Sequence, residues 1–257
     1  MVIQKGDFIK LNYTGKVKDG KIFDTTDEEL AKQEEIFTQN GLYGGDIIIV
    51  GAGHTIEGLE EDIQGKEAGY TGTVEIPPEK AFGPSNPKLI ENISITKFKD
   101  KRPHPGMNVD VNGRRGVVTR VIGRIATVDF NSPLAGKTVI YKYTIEKALE
   151  EDIEKIQGLL ALYTGIRDLG VEIDDCVVKI DIPTKLTYSQ QWVIAKSRLA
   201  SELFEYTDFK EVQLIEKITP TPTPAPTEAE EKTEEKAEAE EKPETEEKVE
   251  TEEKTEN

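Results

Sequence analysis

Two short segments hold the side chains best suited to chemistry. Tyr13-Thr14-Gly15 and Phe23-Asp24 lie in the first, Thr55-Ile56-Glu57-Gly58-Leu59 in the second. Together they offer aromatic rings, one carboxylate and the start of an apolar short helix to what is expected to be a single greasy cleft. Such a set favours binding and exclusion of water over proton transfer. The chain has two histidines, His54 and His104, and neither has Ser, Cys or Asp partners at a recognisable catalytic spacing. His104 sits between Pro103 and Pro105 and reads as loop; His54 precedes the short helix and is expected at the cleft rim. Gly51-Ala52-Gly53 lacks the rest of a dinucleotide fingerprint, and no phosphate loop or paired-carboxylate motif is present. Hydrolase and transferase chemistry are poorly supported, and no cofactor or metal is expected.

Strands must position these residues. Alternation of apolar and polar residues predicts strands over 8–13, 46–50 and 71–76, with one helix around 57–64 that Thr55 is placed to cap and Gly65 to stop. A charged helix-like stretch, 28–36, decorates the rim. From 86 to 129 a compact β element follows, with a hairpin at Asn112-Gly113, a pair that readily takes positive φ, and a second turn at Gly123. The strand over 138–145 is assigned back to the first domain, which makes 86–129 an insertion between 1–85 and 130–148. Residues 149–218 alternate helix and strand, with helices over 151–163 and 188–206 and strands near 171–182 and 211–218. Cys176, the single cysteine, reads as a small hydrophobe within a strand. Residues 219–257 open on Thr-Pro repeats and continue as Glu-Lys-Thr repeats, expected to form an extended linker and a disordered tail.

The net charge of −17 over 257 residues is uneven: 228–256 carry fifteen Glu and five Lys, a net of −10. Nothing clusters Lys and Arg as a phosphate-binding surface requires, so nucleic acid is not an expected partner. There is no apolar leader and no run of about 20 apolar residues, so a cytoplasmic protein away from membranes is expected.

These residues resemble the FKBP-type peptidyl-prolyl cis-trans isomerases, whose signature is a Tyr-x-Gly strand, a Phe-Asp pair and a Val/Ile-x-Gly helix start. The resemblance runs across residues 1–149. It implies an α+β fold in which an antiparallel sheet wraps a short helix, and an enzyme that rotates X-Pro bonds. The match implies an aromatic wall at Tyr13 and Phe23 and a pocket carboxylate at Asp24. Thr55 and Ile56 fall at the helix start, where Ile56 N–H would donate to a substrate carbonyl. Leu59 stands where many members have a tryptophan floor, and Phe82 where most have a tyrosine whose hydroxyl holds a ligand carbonyl. Ile48 and Tyr141 match hydrophobic positions on adjoining strands, and Leu134 matches the flap return.

Rotation needs no acid or base. Its barrier of ~18–20 kcal/mol comes from amide resonance lost on twisting, and the twisted bond is less polar at its carbonyl. A dry, ring-lined pocket therefore favours the twisted state over the planar, hydrated one.

The insertion resembles the SlyD-like branch, whose insert-in-flap domain binds unfolded chains, and implies a client surface drawn from Ile93, Ile95, Phe98, Met107, Val117 and Val118. The branch's His-rich tail has no counterpart here, so metal binding is not carried over. The whole arrangement looks like the long archaeal FKBPs, with proline-containing unfolded or nascent polypeptides as partners. An alternative is a non-catalytic holdase chaperone with a vestigial pocket. The apolar face of the 188–206 helix, with Trp192, Leu199 and Leu203, is expected to offer a homodimer interface.

Overall fold

In the computed structural model, which describes residues 1–39, 41–98 and 102–217, three sheets organise the chain. The elements are β1 (Phe8–Val17), β2 (Ile22–Thr25), α1 (Glu28–Gln33), β3 (Asp46–Ile49), α2 (Glu57–Ile63), β4 (Thr71–Ile76), β5 (Ile90–Ser94), β6 (Asn108–Val111) and β7 (Arg114–Ile122). They continue with β8 (Ile125–Asp129), β9 (Val139–Ala148), α3 (Asp152–Thr164), β10 (Val171–Asp174), β11 (Val177–Ile182), α4 (Thr184–Thr187), α5 (Gln190–Tyr206) and β12 (Glu211–Glu216). Residues 1–217 belong to one unit.

The first sheet runs β2-β1-β9-β4, with β3 paired to the start of β1, and every pairing in it is antiparallel. Period-two alternation along β1 and β9 sends Ile9, Leu11, Tyr141, Tyr143 and Ile145 into one core. Leu59 and Ile63 of α2 close that core and are fully buried, each worth about 2–3 kcal/mol of apolar burial. Gly58 lets the helix lie close on β4, since a Cβ there would stand 2.4 Å from Ile76 Cγ2. Asp27 caps α1 by accepting from Glu29 and Leu30 N–H, and Glu35, at φ 59°, lies just beyond the helix end.

Between β4 and β9 the chain forms the second sheet, β5-β8-β7-β6, with its own core of Ile93, Phe98, Val109, Val111, Val118, Ala126 and Val128. Asn112 at φ 56° and Gly113 at φ 77° make the turn between β6 and β7, as that dipeptide requires. After this sheet the chain returns as β9 to pair with both β1 and β4.

The third sheet, β10-β11-β12, has β12 parallel to β11. Helices α3 and α5 pack with it, and their core also takes in Phe8 of β1 and Ile49 of β3. Gly158 allows the close approach of α3 to β3, because a Cβ there would meet Ile47 at 2.4 Å.

Two expectations change here. The single strand expected around Cys176 is a hairpin: Asp175 takes φ 52°, and Cys176 sits half-buried in the turn, where its carbonyl accepts from Lys210 and Glu211 N–H. The α5 face expected to meet a second copy is already used. Trp192, Leu199 and Leu203 are buried in the core of their own chain. The linker and acidic tail expected over 219–257 lie outside the described residues. No helix among the described residues is long and apolar enough to cross a membrane.

Candidate active site

Gly15 on β1 pairs with Tyr141 on β9, and Tyr13 with Tyr143. A Cβ at Gly15 would stand 2.9 Å from both Phe23 Cζ and Tyr141 Cζ. The missing side chain is therefore what allows two rings to close over the strand. The rings form a continuous series. Tyr13 and Tyr141 have centroids 5.8 Å apart, Tyr141 and Phe23 meet edge-on at 5.9 Å, and Phe23 meets Phe82 edge-on at 5.6 Å. These separations suit the edge-to-face preference of aromatic quadrupoles. Tyr13, Phe23 and Ile56 pack against the same core as Ile48, Leu59 and Tyr141. Phe82 is one-third exposed at the mouth. Gly136 N–H donates to Gly83 O at 2.8 Å, which ties the 130–138 connection beside Phe82.

Both phenols stay neutral donors. Burial raises the Tyr13 hydroxyl far above its ordinary value, and the Asp46 and Asp24 carboxylates reinforce this. Tyr141 is raised by burial and then by Asp24. Tyr13 Oη donates to Asp46 Oδ2 at 3.2 Å. Among the described residues no acceptor takes the Tyr141 hydroxyl or the Ile56 N–H. Asp24 is raised by burial, against the pull of the Tyr13 hydroxyl and Thr25 N–H.

Residues 2–99 match the family model described as FKBP-type peptidyl-prolyl cis-trans isomerase, and residues 152–219 match one described as FKBP26_C-terminal. The short-type peptidyl-prolyl cis-trans isomerase of Methanocaldococcus jannaschii is 40% identical over 147 residues, which is 56% of this chain and 92% of that protein. The FKBP-type 16 kDa peptidyl-prolyl cis-trans isomerase of Escherichia coli is 31% identical over 157 residues, 58% of this chain and 97% of the relative. The chain belongs to the FKBP-type peptidyl-prolyl cis-trans isomerases. The SlyD isomerase of Treponema pallidum is 30% identical over 135 residues, covering 49% of this chain and 74% of that one.

Within the isomerase the expected site residues fall into three groups. Tyr13, Phe23, Phe82 and Tyr141 are joined ring to ring, with Ile48, Ile56 and Leu59 in the core beneath. Asp24 stands close enough to the tyrosines to bias both. Thr55 and Leu134 are half-buried and outside that cluster. Thr55 does not cap α2. The residue at the cap is Ile56, in extended conformation, and the Glu60 carboxylate takes the N–H groups of Gly53, His54 and Thr55 instead. His54 is not at the rim; its ring is enclosed and bonded to Glu202.

Two site features were missed in the sequence. Gly15 lay inside the Tyr-x-Gly signature, but only the structure shows that its missing Cβ makes room for the rings. Asp46 opens an apolar strand, a place where an acid reads as a solvated strand end. Its Oδ1 is enclosed with no partner among the described residues. Burial accordingly raises its carboxyl to about 6; the Tyr13 hydroxyl opposes this, Asp24 adds to it and Arg167 lowers it.

Folded Asp46 holds its proton more tightly than the unfolded residue. Its contribution to stability is complete below about pH 4 and is lost as pH rises through about 6. Asp46→Asn keeps the neutral shape at every pH. Its stability relative to the parent is expected to grow by on the order of 2 kcal/mol between pH 4 and pH 7.5, read from urea midpoints. An equal difference at both pH values would contradict the assignment.

Proposed function

We propose that this isomerase turns X-Pro bonds in unfolded polypeptides at the Tyr13–Phe23–Phe82–Tyr141 hollow, and holds those clients on the outer face of the second sheet. The observation that carries the reading is the ring series itself, an apolar lining with two unused donors, Ile56 N–H and Tyr141 Oη. The proline ring enters among the aromatics. Ile56 N–H donates to a peptide carbonyl and fixes the chain's direction. The aromatic lining disfavours the planar, hydrated amide more than the twisted one, so the barrier falls without proton transfer. Tyr141 Oη supplies the hydroxyl that Phe82 lacks.

The proposed client face keeps Val117 from the expected set and takes its other residues from elsewhere. Ile93, Phe98 and Val118 face inward and fill the small β core, while Ile95, Met107 and Val117 are half-buried. In a four-stranded sheet one face must be covered, and Ile93, Phe98 and Val118, with Met107 packed against them, cover it. The exposed apolar residues are Ile90, Ile122 and Ile125. Strand register puts them on one face: Ile122 lies opposite Ile125, Ser94 opposite Ile125, and Ile90 and Val117 both opposite Asp129.

Replacing Ile122 and Ile125 together with Ser tests the pairing of the two surfaces. Tethering a client beside the hollow raises its local concentration, commonly to the millimolar range. Proline-limited refolding of an unfolded protein is therefore expected to slow about tenfold in its dependence on the isomerase. Turnover of a tetrapeptide, too short to reach both surfaces, is expected to fall much less. Equal losses in both assays, or none in either, would count against the client surface.

A further inference from the structure

The loop that presents Ile56 is held from the far end of the chain. His54 Nδ1 accepts from Ile49 N–H at 3.1 Å, so its proton lies on Nε2, which donates to Glu202 Oε1 at 2.9 Å. Glu202, on α5, is itself buried and also accepts from Tyr163 Oη of α3 at 2.7 Å and from Arg198 Nε at 2.8 Å. Arg198 Nη2 then donates to Ala52 O at 3.0 Å and to Gly53 O at 3.4 Å. From the other side Glu60 takes the N–H groups of Gly53, His54 and Thr55. The N–H groups of residues 52–55 are thus all taken, that of Ala52 by Ile49 O. The next N–H, that of Ile56, has no acceptor among the described residues.

Replacing a whole buried ion pair by apolar residues is often neutral or stabilising, so a buried carboxylate with three donors is weak evidence of a role in stability alone. Packing does not require it either, because Ile49 and Phe8 already join the first sheet to the α3–α5 core. We propose that Glu202, acting with Arg198 and Tyr163, is a positioning residue for prolyl isomerisation. Through the His54 ring and the Ala52 carbonyl it sets the 52–55 backbone and so aims Ile56 N–H at the substrate. The α3–α5 region thereby becomes part of the active site's support. The inference rests on the proposed role of Ile56 N–H as substrate donor.

The test uses the full chain and a proline tetrapeptide. The Ile56 amide resonance is followed by NMR with and without peptide, beside kcat/KM and the urea midpoint. Glu202→Leu fills the space without an acceptor. Glu202→Gln keeps an oxygen for His54 Nε2–H. Arg198→Met removes the guanidinium from a half-exposed side chain. Small displacements of a positioning group cost up to about a hundredfold in rate. Glu202→Leu leaves His54 Nε2–H, Tyr163 Oη and Arg198 without their acceptor, so it is expected to lower the urea midpoint as well as to move the Ile56 resonance and lower kcat/KM at least about tenfold. Glu202→Gln should recover most of that loss, and Arg198→Met should fall between them. If Glu202→Leu does not fold, Arg198→Met decides the matter by the same two readouts. Folded variants with the parent's Ile56 resonance and the parent's kcat/KM would overturn the proposal. An Ile56 resonance in the unaltered protein that ignores the peptide would instead remove the donor role, and the inference with it.

Discussion

Gly15→Val is expected to lower kcat/KM for a proline peptide about a hundredfold while the protein stays folded. Gly15 is not among the residues at positive φ, so its backbone accepts a side chain and the effect is purely steric. The new Cβ would lie 2.9 Å from the tips of Phe23 and Tyr141 and 3.1 Å from Tyr141 Cε1. Cβ contacts under 3.0 Å are essentially never found, so the Phe23 and Tyr141 rings must shift to admit it. Phe23 is half-buried, whereas Tyr141 is buried among Tyr13, Phe23 and the sheet core. Overpacking of this kind costs roughly 1–3 kcal/mol of stability, a loss that the α2 and β9 core should absorb. Calorimetry on the variant and a protease-coupled assay read the two effects separately. Parent-like turnover would mean that Phe23 and Tyr141 do not border the substrate.

Much of this architecture could be read from residue order. The Tyr-x-Gly strand, the apolar alternation of β1 and β9 and the Asn112-Gly113 turn are local signals, and each is found where its chemistry demands. Long-range partnerships were not legible. His54 precedes a short helix in a Gly-rich loop, and only the approach of α5, 148 residues later, encloses it. Glu202 looks like a solvated face of a charged helix; its three donors come from elements that the sequence places far apart or on a different turn. The inward placement of Ile93, Phe98 and Val118 has another cause. Alternation names the two faces of a strand but not which one is covered, and in the second sheet the face carrying Ile93 and Val118 is the covered one. The α5 face was misjudged in the same way, because an apolar stripe reads alike whether its partner is a second copy or the chain's own sheet.

Phe23→Ala against Asp24→Asn separates an apolar mechanism from a proton-transfer mechanism. Phe23 touches two other rings edge-on, Tyr141 and Phe82, and it is the link between the buried and exposed halves of the series. Its loss removes on the order of 3 kcal/mol of ring and proline contact, equal to about two decades in rate. Asp24→Asn preserves shape and an acceptor oxygen while removing the charge that adds to burial in keeping the Tyr141 phenol protonated. General acid–base catalysis by that carboxyl would be worth roughly 10²–10⁴-fold. The most direct test is kcat/KM for one proline tetrapeptide, measured on both variants at pH 7.5 with folding verified by circular dichroism. The dry-hollow account predicts a loss near a hundredfold for Phe23→Ala and less than about tenfold for Asp24→Asn. A larger loss for Asp24→Asn than for Phe23→Ala would contradict it.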